Sequence, residues 1–259
     1  MTQNDDVTER ASSLLEQAWI SGVALDALPD SCRPAEQEQA YRVQQRLAER
    51  LGKRGGWKVG APSPDGLPHY SPLPARFILD DNSRCRLDDF NHGNLEVELA
   101  FLLGRDLPAR DTAYTREEVI DAVASVHAVI EIVDSRFRDW PKGDDKLSPL
   151  ADLQNFGRLI VGEGVKQWKA LDLSCLPVSL SLDEERVISA SGGNPAGDPL
   201  ALLVWLANAL PAKGQALCSG DVVTCGSCTG KTPVNKPVRV TGHFEGVGQV
   251  TVNLTAGPR

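Results

Sequence analysis

Leu95-Glu-Val-Glu-Leu-Ala-Phe-Leu-Leu103 is the stretch of this sequence whose residue types most clearly suggest chemistry. Its alternation predicts a β-strand with Leu95, Val97, Leu99, Phe101 and Leu103 on one face and Glu96, Glu98, Ala100 and Leu102 on the other. Two like charges that run straight into apolar positions sit awkwardly against a core. Their α-carbons stand ~6.7 Å apart along a strand, close enough for flexible Glu side chains to converge on one cation. An E-x-E pair alone equally describes a half-exposed strand with two solvated acids. Glu131 shifts the balance, because it lies within the almost wholly apolar run Ala128-Val-Ile-Glu-Ile-Val133. A carboxylate buried there suffers a large desolvation cost unless it is paired or bound to a metal. Arg136 is the candidate partner nearby in sequence. A divalent cation shared by Glu96, Glu98 and Glu131 accounts for all three acids at once, and oxygen-only ligation points to Mg²⁺ or Mn²⁺ rather than zinc.

The elements that must position these residues follow from periodicity. The first 50 or so residues read as two amphipathic helices. Val7, Ala11, Leu14, Leu15, Ala18 and Trp19 share a face of the first, and Ala40, Val43, Leu47 and Leu51 form a stripe on the second. Gly52 sits where a C-terminal cap belongs. From Gly56 the character changes to short strands and loops, beginning with Gly56-Trp-Lys-Val-Gly60. Ala61 to Pro74 carries five prolines without periodicity and is expected to be loop. Thr115-Arg-Glu-Glu118 is a capping box, and Val119, Val123, Val126 and Ile130 continue at helical spacing until the β-branched Val129–Val133 takes over. Arg136 to Pro149 is a polar loop with Trp140, Pro141, Gly143 and the adjacent Asp144 and Asp145, of a length typical of lids and binding loops. Val178–Leu182 and Val187–Ala190 suggest a hairpin. Asp198-Pro199 starts a buried helix over Leu200–Leu210, and strands with tight turns fill Gly220 to Leu254. The sum is an α+β fold, with a helical segment over residues 1–55 packed on a catalytic, β-rich unit over residues 56–259.

Composition narrows the function. With 259 residues, 41% apolar and 24% charged, the chain can bury a substantial core. A net charge of −8 without a local Lys/Arg cluster disfavours nucleic acid as a partner. No apolar run approaches the ~20 residues needed to span a bilayer, and the acidic, polar start is unlike a secretory signal, so a cytoplasmic location is expected. The six cysteines then read as small buried side chains. Cys225-Gly-Ser-Cys228 has CxxC spacing but no second pair for zinc, and it follows a strand rather than opening a helix.

Several blocks together resemble the 2-oxopent-4-enoate (2-keto-4-pentenoate) hydratase family, within the fumarylacetoacetate hydrolase superfamily. They are Ala40-Tyr-Arg-Val-Gln44, Gly56-Trp-Lys-Val-Gly60, Glu96-Val-Glu-Leu-Ala-Phe101, Glu131-Ile-Val-Asp-Ser-Arg136, Ala151-Asp152, Asn194-Pro-Ala196 with Trp205-Leu-Ala-Asn208, and Gly226-Ser-Cys-Thr229. They span nearly the whole chain in the family's order. The resemblance implies a fumarylacetoacetate-hydrolase-like mixed β-sheet core with two N-terminal helices and a few inserted helices. It also implies a cation bound by Glu96, Glu98 and Glu131, and Lys58 beside a small 2-oxo acid substrate. Homo-oligomers, sometimes associated with a neighbouring enzyme, are a family habit.

Such a metal acts as a Lewis acid on a 2-oxo group and stabilises the dienolate through which tautomerisation and addition at C4 proceed. Three carboxylates, a dication and a dianionic dienolate sum to a strongly negative site, which asks for nearby cations. Lys58 fits that need and can move a proton; Arg136 is the second candidate for binding substrate. Asp152 is a candidate for orienting water or shuttling a proton, or else a turn cap. Ser227 and Thr229 can offer hydroxyls to a substrate carboxylate. None of the four histidines has a partner at useful spacing. The chain departs from its relatives at Ala61-Pro-Ser63-Pro64, at Pro74-Ala75 and at Leu153, where relatives carry polar or acidic residues. The leading expectation is therefore a hydro-lyase making a 4-hydroxy-2-oxo acid. A 4-oxalocrotonate-type decarboxylase, an acylpyruvate-type C–C hydrolase and an inactive binding or scaffold paralogue stand behind it.

Overall fold

A computed structural model describes residues 3–141 and 145–257; Gly143 and Asp144 of the expected lid loop lie outside them. Two helices come first, α1 (Gln3–Ser21) and α2 (Gln37–Leu51), followed by strands β1 (Arg54–Gly60), β2 (His69–Pro74), β3 (Ile78–Asp80), β4 (Ser83–Arg86) and β5 (Asn94–Leu103). Next come α3 (Arg116–Ala122), β6 (Val123–Val133), α4 (Leu147–Ala151), β7 (Phe156–Val165), β8 (Pro177–Leu182), β9 (Glu185–Ser191) and α5 (Pro199–Ala209). The chain closes with β10 (Val222–Ser227), β11 (Thr232–Pro233), β12 (Val238–Phe244) and β13 (Gly248–Thr255).

The strands form two sheets. The larger runs β2-β1-β10-β5-β6-β7-β3, with β11 added beside β5, and mixes parallel and antiparallel pairs. The smaller runs β4-β13-β12-β8-β9. The alternation along β5 is what divides the core. Leu95, Val97, Leu99 and Phe101 are buried with Val240, Val250 and Val252 of the smaller sheet. Across the sheet, Ala100 and Val129 are buried with Ala11 and Leu15 of α1 and with Ala40, Val43, Leu47 and Leu51 of α2. The helical pair thus covers the face of the large sheet that carries Glu96 and Glu98. Gly52 caps α2 as expected, at φ 122°, its N–H reaching the carbonyls of Ala48 and Glu49.

Two expectations need correction. The proline-rich stretch is not all loop, because His69–Pro74 forms β2, antiparallel to β1. Its prolines are tolerated at the sheet's edge, where one side of the strand has no ladder to supply. The helix begun by the Thr115 capping box ends at Ala122 instead of continuing toward Ile130. Val123 already belongs to β6, where β-branched side chains fit the pleated surface of a central strand better than a helix interior. The polar loop after Arg136 also stops earlier than expected, at the start of α4. All six cysteines are free, but Cys175 is exposed and Cys218 only half-buried. Among the described residues no helix is long and apolar enough to cross a membrane.

Candidate metal centre

β5 and β6 are antiparallel neighbours in the middle of the large sheet, and their register sets Glu96 directly opposite Glu131. Glu98, two positions along β5, points to the same face. One carboxylate oxygen from each of the three lies within 4.8 Å of the others. Glu131 is wholly buried, Glu98 is 2% exposed and Glu96 is half-buried, so Glu96 marks the solvent side of the cluster.

Lys58 arrives from β1. Its register partner on β10 is Thr224, which in turn pairs with Ala100 of β5, so lysine, threonine and carboxylates share one face. The Lys58 ammonium donates to Glu131 Oε1 and, at 3.2 Å, to the Gln154 carbonyl. That carbonyl is presented by Leu153, Gln154 and Asn155, three consecutive non-glycine residues with φ between 48° and 57°. Left-handed backbone costs such residues about 1–2 kcal/mol each, a strain that surrounding structure must hold in place. Glu98 is secured from β10: its Oε2 accepts from the Thr224 hydroxyl and, at 3.2 Å, from the Gly226 N–H. A register shift between Thr224 and Ser227, with Gly226 at φ 85°, turns that N–H inward. Ser227, which follows the bulge, acts on Glu96 and lowers its pKa.

The electrostatics are lopsided. Burial first, then the charges of Glu131 and Glu96, push the Glu98 carboxyl up to about 8, against the pull of Lys58 and Thr224. Burial and Glu131 likewise raise Glu96, against Lys58, Lys231 and Ser227. Burial works against the charge on Lys58, yet the three carboxylates outweigh it and hold its pKa above the ordinary lysine value. Three acids face the Lys58 ammonium, Lys231 acts on Glu96, and Glu131 Oε2 is buried with no hydrogen-bond partner among the described residues. An all-oxygen donor set, excess negative charge and an orphaned carboxylate oxygen fit a hard divalent cation, and these residues can hold one.

The structure distributes the remaining candidates differently. Arg136 and Asp152 meet in a second, buried cluster. Asp152 Oδ2 accepts the Arg136 backbone N–H at 2.8 Å, and Oδ1 lies 3.3 Å from Arg136 Nε as an ion pair without hydrogen-bond alignment. The guanidinium also approaches Asp134 at 3.6 Å, donates to the Phe156 carbonyl at 2.9 Å and lies 4.0 Å over the Trp19 ring. Burial raises Asp152 to about 6, against the attraction of Arg136. Lys58, not Arg136, is the partner of Glu131. Thr229 Oγ1 accepts the Val97 N–H at 3.0 Å, tying the turn after β10 to β5. Ser227 stands at the solvent-side carboxylate.

Sequence reading missed Thr224, the Gly226 N–H, the Gln154 carbonyl and Lys231. Thr224 carried a usable signal, a polar residue inside the strand Val222-Val-Thr-Cys225. Lys231 carried none; its charge stabilises the Glu96 carboxylate, and its ammonium lies 4.7 Å over Trp140, which stacks on His92. Concavity is no guide here. A groove of about 420 Å³ between α2 and the turn at Lys213–Gln215 contains none of the three glutamates.

A mixed sheet packed on a smaller, mostly antiparallel one, with carboxylates converging from two central strands of the larger, defines a class. The family profile described as fumarylacetoacetate (FAA) hydrolase C-terminal matches residues 61–255, and the chain belongs to that family. Within it, the chain is 28% identical to 2-keto-4-pentenoate hydratase from Paraburkholderia phymatum, over 97% of this chain and 99% of the relative. It is 30% identical to 2-hydroxyhexa-2,4-dienoate hydratase from Comamonas testosteroni, over 95% and 97%. Its fold matches that of 4-oxalocrotonate decarboxylase from Pseudomonas putida G7, solved with magnesium and adipate, at a TM-score of 0.85 with 23% identity and 98% of both chains covered.

Proposed function

We propose that this protein is a divalent-metal-dependent hydratase. It adds water to a 2-hydroxy-2,4-dienoate, or its 2-oxo-4-enoate tautomer, giving a 4-hydroxy-2-oxo acid. The observation that carries this reading is the under-compensated cluster of Glu96, Glu98 and Glu131 with its orphaned buried oxygen and adjacent ammonium. Relatives similar over nearly their whole length, and named as hydratases of such acids, support the substrate class.

Mg²⁺ or Mn²⁺ held by the three glutamates supplies Lewis acidity toward a chelating 2-oxo acid. The chain's own residues do the rest. Glu98 is aimed by Thr224 and Gly226, and Glu131 by Lys58. In the chain without a cation, the three carboxylates hold the Lys58 pKa above the ordinary lysine value. Lys58 offers positive charge to a developing enolate oxygen and is placed to move a proton there. Ser227 offers a hydroxyl at the open side, where a substrate carboxylate enters. Asp152 and Arg136 act one step removed, by fixing the turn whose Gln154 carbonyl receives Lys58; the Asn155 N–H bonds the Asp152 carbonyl at 2.9 Å within that turn.

The test is incubation of the purified chain with Mg²⁺ and 2-hydroxypenta-2,4-dienoate. Loss of the dienol's ultraviolet absorbance with appearance of 4-hydroxy-2-oxopentanoate is the expected result. Persistent absorbance with both Mg²⁺ and Mn²⁺ contradicts the reading. CO₂ release from a dicarboxylate analogue without hydration reassigns the site to decarboxylation.

A further inference from the structure

The bulge in β10 creates a problem that a residue outside the sheet solves. Neither neighbouring strand has a residue in register with Cys225 or Gly226, so the regular ladder is interrupted there. Asn194, in the loop between β9 and α5, bonds both carbonyls. Its side-chain Nδ2 donates to the Cys225 carbonyl at 2.6 Å and to the Gly226 carbonyl at 3.3 Å. Its Oδ1 accepts the Ala196 N–H at 2.9 Å, which folds the loop back on itself and fixes the amide's orientation. The contact is close along its length: a Cβ on Gly193 would stand 2.4 Å from the Cys228 carbonyl oxygen, so only glycine lets the loop lie on the bulge.

The clamped peptide is the one that aims Glu98. Gly226 presents its N–H to Glu98 Oε2 while its own carbonyl is held by Asn194. Thr224, just before the bulge, puts its hydroxyl on the same oxygen. Both donors fall on the same oxygen, Oε2, and so fix the plane of the carboxylate.

We propose that Asn194 is a positioning residue for the metal centre: by clamping the Cys225–Gly226 carbonyls it holds the β10 bulge that orients Glu98 for the cation. This rests on the metal-binding reading above. Groups that orient ligands from behind typically contribute about 10–100-fold in metal affinity, and that is the effect expected here.

Two substitutions separate clamping from general loop structure. Asn194→Ala removes both functions of the amide. Asn194→Asp keeps an oxygen for the Ala196 N–H but replaces the donor with a second oxygen facing two carbonyls. Asn208 serves as a structural control; its side chain bonds the backbone of Tyr114 and Val204, away from the bulge. Calorimetric titration of the full chain with Mn²⁺, well below each variant's melting temperature, is the readout, with Glu98→Gln in parallel.

The expected result is a Kd raised about 10–100-fold in both Asn194 variants, and an Asn208→Ala variant that melts earlier but binds Mn²⁺ like the wild type. If Asn194→Ala does not fold, Asn194→Asp alone decides. An Asn194→Asp protein with wild-type Kd overturns the proposal. If Glu98→Gln abolishes binding while the Asn194 variants keep it, this inference alone fails. If the wild type binds no Mn²⁺, or Glu98→Gln binds as well as wild type, the carboxylate reading fails and takes the inference with it.

Discussion

Two buried charge clusters hang from the same strand and its exit, and they are built on opposite logic. The cluster around Arg136 has two acids and one guanidinium. Its parts are answered mainly from within: by the Arg136 backbone N–H, by the Phe156 carbonyl, by the Trp19 face and, for Asp152 Oδ1, which has no hydrogen bond, by the guanidinium 3.3 Å away. The cluster around Glu131 has three acids, the buried Lys58 ammonium with Lys231 acting on Glu96, a carboxyl pushed up to about 8 and an oxygen with neither a hydrogen bond nor an ion-pair contact among the described residues. Only four residues lie between Glu131 and Arg136, yet the first site is short of positive charge and the second is closed. A buried ionic group that satisfies itself serves architecture, whereas one left short of positive charge has been kept for something that binds.

The comparison breaks first, and most visibly, at Glu131. Glu131→Gln should lower kcat/KM for the dienoate by about a thousandfold or more, because the cation loses a ligand and Lys58 its counter-charge. A loss under about tenfold would show that Glu131 is not a ligand.

Arg136→Met strikes the closed cluster and leaves Asp134 and Asp152 buried and unpaired. Breaking a buried pair this way costs about 3–5 kcal/mol, read by denaturant unfolding. A cost near zero would mean that the Arg136 cluster is not self-contained.

Glu98→Gln should act in the opposite direction. The metal-free protein no longer buries a carboxyl that must take up a proton on folding, so it gains about 1 kcal/mol or stays unchanged, while the Mn²⁺-induced rise in melting temperature disappears. Loss of stability together with retained Mn²⁺ protection would erase the distinction between the two clusters.

The smallest effect is one of pH. Glu98 titrates at about 8 in the folded chain against an ordinary value of 4.5, so the folded state holds its proton where the unfolded state has released it. Its contribution to stability is full below about 4.5 and is lost as pH rises through about 8. Asp152 has the same sign, but its window closes at about 6. Between pH 6 and 8, of these two clusters only the open one should lower the melting temperature of chelator-treated protein, and Mn²⁺ should reverse that slope. A slope unaffected by Mn²⁺ would place the titration elsewhere.

Much of this was legible in the sequence because it depends on short-range pattern. The alternation of Leu95–Leu103 placed Glu96 and Glu98 on one face, and the apolar setting of Glu131 marked a buried acid in need of a partner. The helices of the first 50 residues followed from their stripes and from Gly52. What escaped depended on neighbours distant in the chain. His69–Pro74 is a strand because β1 lies beside it at a sheet edge that tolerates proline. Val123 leaves the helix because a central strand awaits it. Arg136 was the nearest cation to Glu131 in sequence, yet β1 brings Lys58 from 73 residues away to take that place. Thr224 reaches Glu98 from a neighbouring strand, and Asn194 bears on it only through a bulge that no local pattern announces.

The most direct test is a crystal soaked in MnCl₂ and measured for anomalous scattering. One peak bonded to an oxygen from each of Glu96, Glu98 and Glu131, absent from Glu131→Gln crystals, is the result expected. A wild-type map with no peak among these side chains, at a Mn²⁺ concentration that supports activity, would contradict the account.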